Sequence, residues 1–122
     1  MAQPTILIVD DDPAIRKMLV EMLSLEGYPT ETATNGQEAL DMLAQSGPRV
    51  ILLDLLMPGV DGYTVMARLR TEPQSRAMHK VIFVSAVDRL EAARELGPDG
   101  LLAKPFTLDA LVTVLEPITA KV

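Results

Sequence analysis

The chain has 122 residues, 48% of them hydrophobic, a formal net charge of -6 and no cysteine. That length and apolar content suit one domain with a sizeable core, and the missing thiols exclude disulfides, thiol catalysis and cysteine-ligated metals. The acidic balance, with no Lys/Arg cluster, argues against nucleic acid or an anionic membrane as a direct partner.

No apolar run approaches the length that crosses a bilayer. The opening MAQPTILIVDDD also lacks the basic start, long apolar stretch and small-residue cleavage site of a signal peptide. The expectation is a cytoplasmic protein without membrane insertion, one domain over residues 1–122.

Ile6–Val9 is the first of four short runs, with Val50–Leu53, Val81–Val84 and Leu101–Ala103, that are apolar throughout. Such runs read as strands buried on both faces of a parallel sheet. After the first comes a helical pattern from Pro13 to about Leu25, with Ile15, Leu19, Met22 and Leu23 on one face and Gly27 beyond its end. Asp12 before Pro13 is the expected N-cap followed by proline in the first turn. Thr30–Ala33 alternates and carries Glu31, which suits a strand at a sheet edge. A second helix covers Gly36–Ala44 with Ala39, Leu40 and Leu43 inward, and a third Tyr63–Arg70, with Asp61 before Gly62 as a candidate cap. His79 lies in a polar stretch with no second nitrogen or sulfur ligand nearby and reads as a surface residue. A short helix, Leu90–Leu96, ends at Gly97, and Leu108–Leu115 is the last. Strand and helix alternate five times, the signature of an α/β fold with helices on both faces of a sheet.

The chemistry gathers where the buried strands end. Ile6–Val9 runs into Asp10, Asp11 and Asp12; Val50–Leu53 into Asp54; Val81–Val84 into Ser85; Leu101–Ala103 into Lys104. Open parallel sheets bind ligands outside the carboxyl ends of their strands, so several carboxylates, a hydroxyl and an ammonium meet at one edge. Carboxylates that close repel one another unless a cation lies among them. With so few protein ligands, a Mg²⁺ that keeps some of its waters suits them better than a caged Ca²⁺. A lysine beside the metal-bound carboxylates then suits a clamp on transferring phosphoryl oxygens. Each residue also has a plain structural role: Asp12 as a cap, Asp54 before Met57-Pro58-Gly59 as a turn former, Ser85 as a turn residue. Their joint placement at one edge favours the functional reading.

The segments ILIVDDDPAIRKML, VILLDLLMPGVDG, VIFVSA and GLLAKPF, in that order, resemble the receiver domain of bacterial two-component response regulators, including the chemotaxis-type single-domain receivers. The resemblance covers essentially the whole chain. It implies a flavodoxin-like (βα)5 doubly wound parallel sheet in the order 2-1-3-4-5. It also implies roles. Asp54 would be the phosphoacceptor, Asp11 a direct Mg²⁺ ligand, Asp10 a ligand chiefly through metal-bound water, and the Leu56 backbone carbonyl the last protein ligand. Lys104 would pair with the phosphoryl oxygens, Ser85 would move to meet them, and Pro105 would follow a cis peptide bond.

The implied function is a phosphorylation switch rather than an enzyme. A sensor histidine kinase or phosphotransfer protein would donate to Asp54. The surface of the fourth helix, fifth strand and fifth helix would then change its affinity for a downstream protein target. A flavodoxin fits poorly, because Asp10–Asp12 would repel a flavin phosphate. A haloacid-dehalogenase-type phosphatase wants a second acid where Leu56 stands. A degenerate receiver acting only as an interaction module remains the alternative, although no acid and no lysine of the pattern is lost. Three departures from the family pattern stand out. Leu56 and Val87 are apolar near the acceptor, which predicts slow hydrolysis of the phosphoaspartate. Leu101 replaces the usual aromatic three residues before the lysine. The stretch from Ser85 to Lys104 is short, which shifts the expected activation signal onto the Leu90–Leu96 helix.

Overall fold

The computed structural model describes residues 3–45 and 47–120. Five parallel strands, β1 (Ile6–Val9), β2 (Thr30–Ala33), β3 (Val50–Asp54), β4 (Lys80–Ser85) and β5 (Gly100–Ala103), form one sheet in the order 2-1-3-4-5. The helices are α1 (Pro13–Leu25), α2 (Gly36–Leu43), α3 (Gly62–Thr71), α4 (Pro73–Met78), α5 (Val87–Ala93) and α6 (Leu108–Thr119), with a 3-10 turn at Arg94–Leu96.

Period-two alternation divides the core into two layers. Leu7, Val9, Ile51, Leu53, Val81 and Phe83 point towards α2, α3 and α5, meeting Ala39, Leu43, Val65, Met66, Leu69, Leu90 and Ala93. Ile6, Ile8, Val50, Leu52, Ile82, Val84 and Leu102 point the other way, onto Leu19 and Leu23 of α1 and Leu111, Leu115 and Ile118 of α6. The central strands are apolar throughout because both faces are covered. Edge strand β2 is less covered, with Thr32 exposed opposite the buried Ala33 and Glu31 half-buried on the face of Ala33.

Four elements differ from the sequence expectation. β5 is an edge strand and not a fully buried one, with Leu101 and Ala103 half-buried. Its apolar run reflects cover by α5 on one face and α6 on the other. α4 had no apolar periodicity to reveal it, since it buries no side chain; Pro73 at its first position is its one sequence signal. The Leu90–Leu96 helix begins earlier, at Val87, and its last three residues tighten into the 3-10 turn. α6 continues past Leu115 and through Pro117, because Ile118 is buried and the Thr119 hydroxyl contacts the Tyr28 hydroxyl at 3.2 Å. The expected caps are present: Asp12 accepts the Ala14 N–H at 2.9 Å, and Asp61 accepts the Thr64 N–H at 2.9 Å.

His79 is also corrected. It is only 2% exposed, and its Nδ1 accepts the Arg49 N–H at 3.1 Å. Burial and the neighbouring Arg49 charge lower its pKa below 6.5, so the ring is a neutral acceptor joining β4 to the start of β3.

Among the described residues, no helix is long and apolar enough to cross a membrane.

Candidate functional site

Asp10 and Asp54 meet because their strands are neighbours in register. Val9 pairs with Leu53, so the next residue of each strand emerges at the same edge. Alternation places both on the layer of Ile8 and Leu52, as it does Lys104, two residues after Leu102. The lysine stem reaches across the end of β4. Its Nζ donates to Asp10 Oδ2 at 3.0 Å and lies 3.7 Å from Asp54 Oδ2. Asp11 is exposed in the turn that follows β1, yet Asp10, Asp11 and Asp54 offer carboxylate oxygens all within 4.8 Å of one another.

The surrounding backbone fixes these groups. Asp10 Oδ1 accepts the Asp12 N–H at 2.9 Å, and Asp54 Oδ1 accepts the Leu56 N–H at 3.3 Å. Ser85, buried at the end of β4, accepts the Lys104 N–H on its carbonyl at 2.8 Å. The Lys104–Pro105 bond is cis. Leu56 and Val87 stand out of the fold, 45% and 61% exposed.

A sequence model described as the response regulator receiver domain matches residues 6–116. The chain belongs to that family.

Among curated proteins, response regulator MprA of Mycolicibacterium vanbaalenii is 38% identical to this receiver domain over 93% of the chain and 49% of its own length. The chain thus spans about half the length of the curated relatives it matches. Among solved structures, a putative response regulator from Chloroflexus aurantiacus is 35% identical, with a TM-score of 0.88 over 97% of this chain and 98% of that one. Response regulator TrrA from Thermotoga maritima, solved in complex with Mg(2+)-BeF, is 32% identical, with a TM-score of 0.83 over 94% and 98%.

The receiver's acid cluster is electrostatically unresolved. Burial raises the Asp54 pKa from 3.8 to about 6; Lys104 pulls it down, while Asp10 and Asp11 push it up. Lys104 is affected first by burial, which favours its neutral form, but the hydrogen bond to Asp10 and the Asp54 charge prevail and raise its pKa. One ammonium therefore faces three carboxylates. Hard oxygen donors in excess of their counter-charge are the donor set that suits Mg²⁺.

Sequence reading missed Arg16. Its Nη1 donates to the Asp10 carbonyl at 2.8 Å, holding the strand end from α1. Its only signal was an arginine one turn after the Asp12 cap.

Proposed function

We propose that this receiver domain is a switch whose Asp54 accepts a phosphoryl group with Mg²⁺ held by Asp10, Asp11, Asp54 and the Leu56 carbonyl. The observation that carries the reading is the buried Asp54 carboxylate, held between two further carboxylates and Lys104. An Asp54 oxygen attacks the phosphorus of a phosphoimidazole. The P–O bond forms as the P–N bond breaks, and the electron pair leaves on the imidazole nitrogen, which takes a proton from solvent. Lys104 neutralises charge on the transferring oxygens, and the Ser85 hydroxyl turns to meet them. When bound, Mg²⁺ supplies further charge stabilisation at those oxygens and cancels the repulsion among the acids. The Mg(2+)-BeF complex of the Thermotoga maritima relative supports the metal assignment.

The donor is a histidine kinase or phosphotransfer protein, the recipient of the signal a protein target, and the setting cytoplasmic. The protein undergoes one chemical change per signal and so acts as a switch, not as a turnover enzyme. α5 has no side-chain cap and runs straight into a 3-10 turn, which supports it as the element that shifts on activation. Leu56 and Val87 offer no hydrogen bond to an attacking water, so the phosphoaspartate is long-lived, and Leu56→Asn shortens it.

Incubation with Mg²⁺ and a small acyl phosphate, followed by intact-mass spectrometry, tests the reading. The wild type gains one labile phosphoryl group, while Asp54→Asn and metal-free protein gain none. A wild type that never gains that mass from any donor would leave only an interaction module.

A further inference from the structure

The loop from Leu55 to Asp61 carries the Leu56 carbonyl and connects β3 to α3. It is held at its two shoulders by backbone hydrogen bonds: Gly62 N–H donates to the Leu55 carbonyl at 3.1 Å, and Gly36 N–H donates to the Val60 carbonyl at 3.1 Å. Both contacts depend on glycine. A Cβ at Gly62 would overlap the Asp54 carbonyl oxygen and fall 2.8 Å from the Leu55 Cα. A Cβ at Gly36 would overlap the Val60 carbonyl oxygen and come within 2.7 Å of the Val60 Cγ1. Gly62 belongs to the loop's own exit into α3. Gly36 comes from elsewhere, the first residue of α2.

We infer that Gly36 is a positioning residue for the metal site: by docking the start of α2 against Val60, it sets where the Leu56 carbonyl stands beside Asp54. This rests on the reading of Asp10, Asp11, Asp54 and Leu56 as ligands given above. Which side yields when a methyl is forced in decides the effect. α2 is fixed by its Asn35 cap on the Glu38 N–H at 2.8 Å and by Ala39 and Leu43 in the core. The loop's outer residues Leu56, Pro58 and Gly59 are exposed, and its tip lacks regular structure. The loop is the softer partner, so it moves. Leu56 lies between the two anchored carbonyls, so displacement at Val60 is passed to it through Met57, Pro58 and Gly59, and the buried Met57 next to it keeps the chain from absorbing all of that shift.

The test is Mg²⁺ titration of the metal-free protein, followed on native-state NMR resonances so that any unfolded fraction does not enter. Gly36→Ala is expected to bind Mg²⁺ about tenfold more weakly or worse, as loss of an outer-shell support does elsewhere. Val60→Gly, which keeps the carbonyl but frees the loop, is expected to weaken binding less, and it decides the matter alone if Gly36→Ala leaves no native protein. Gly47→Ala serves as control, since its Cβ would meet only the tip of the Arg49 guanidinium, at 4.0 Å; its affinity stays that of the wild type. Unchanged affinity in the native fraction of Gly36→Ala and in Val60→Gly, however far thermal stability falls, would overturn the role of Gly36 alone. A wild type that binds no Mg²⁺ would overturn the ligand reading beneath it, and this inference with it.

Discussion

The two ends of the sheet treat charge in opposite ways. At the amino end, Arg49 pairs with Glu31 at 2.6 Å, and Arg76 donates to the His79 and Gly97 carbonyls and to Asp99. Asp99 Oδ2 also accepts the Val81 N–H at 2.8 Å. These charges find partners within the protein, and the result ties β2, β3, β4 and β5 together. At the carboxyl end, three carboxylates share one lysine. Satisfied charge makes scaffold, whereas charge left in excess marks the acid cluster as the candidate site.

Four substitutions sharpen or break that contrast. The largest effect is expected for Lys104→Ala, which removes the ammonium that faces Asp10 and Asp54: phosphorylation of Asp54 by a small acyl phosphate falls about 100-fold. A rate within a few-fold of the wild type, measured by intact mass over time, would refute the clamp role.

Asp99→Ala attacks the other end. It strands the buried Val81 N–H and takes from Arg76 its carboxylate partner, costing about 2 kcal/mol in urea-monitored stability. Mg²⁺ affinity is expected to stay put, and a matching loss of affinity would show that the two ends are coupled.

Asp54→Asn is expected to stabilise the metal-free protein at pH 7. Its folded pKa of about 6 lies above 3.8, so between those values the native state holds more protons than the unfolded chain. Stability therefore falls as pH rises through that window, and the penalty is complete above about pH 6. The full shift corresponds to about 3 kcal/mol; because the asparagine amide that replaces the carboxylate is itself buried and polar, about 1 kcal/mol is expected. The gain disappears below the ordinary carboxylate pKa of 3.8. Equal stability of the two proteins at pH 7 would mean that the cluster is already neutralised.

The smallest effect belongs to His79. Its pKa is lowered in the fold, so its contribution is full above 6.5 and shrinks as pH falls below that value, where only the unfolded imidazole takes a proton. In an Asp54→Asn background, which removes the opposing slope, chemical denaturation from pH 7.5 to about 5.5 resolves it. Replacing His79 by Gln should flatten the curve; a curve that keeps its slope would place the titrating group elsewhere.

Much of this was legible in the residues themselves. Runs such as Ile51-Leu52-Leu53 have no polar face to give to water, so they had to lie inside a parallel sheet, and a parallel sheet brings its strand ends to one edge. That logic, joined to four motifs in family order, was enough for the strand order and for the meeting of Asp10, Asp11, Asp54 and Lys104 at one edge, with Ser85 at the end of β4. Asp12 and Asp61 were legible as caps because capping is local chemistry.

Other features depended on contacts between segments far apart in the chain. A lone His79 in a polar stretch looks exposed until the Arg49 N–H arrives from the start of β3. α4 buries no side chain, so no periodicity could announce it, and α6 outlasts Pro117 only because Ile118 has a core to enter. Gly36 reads locally as an indifferent start to a helix; the Val60 carbonyl packed against it gives it meaning. Sequence by itself determined what each strand must bury and which groups it delivers to its end, because alternation and hydrophobicity act over a few residues. Tertiary structure alone decided which of those groups are satisfied, because pairing depends on neighbours that the chain order does not reveal.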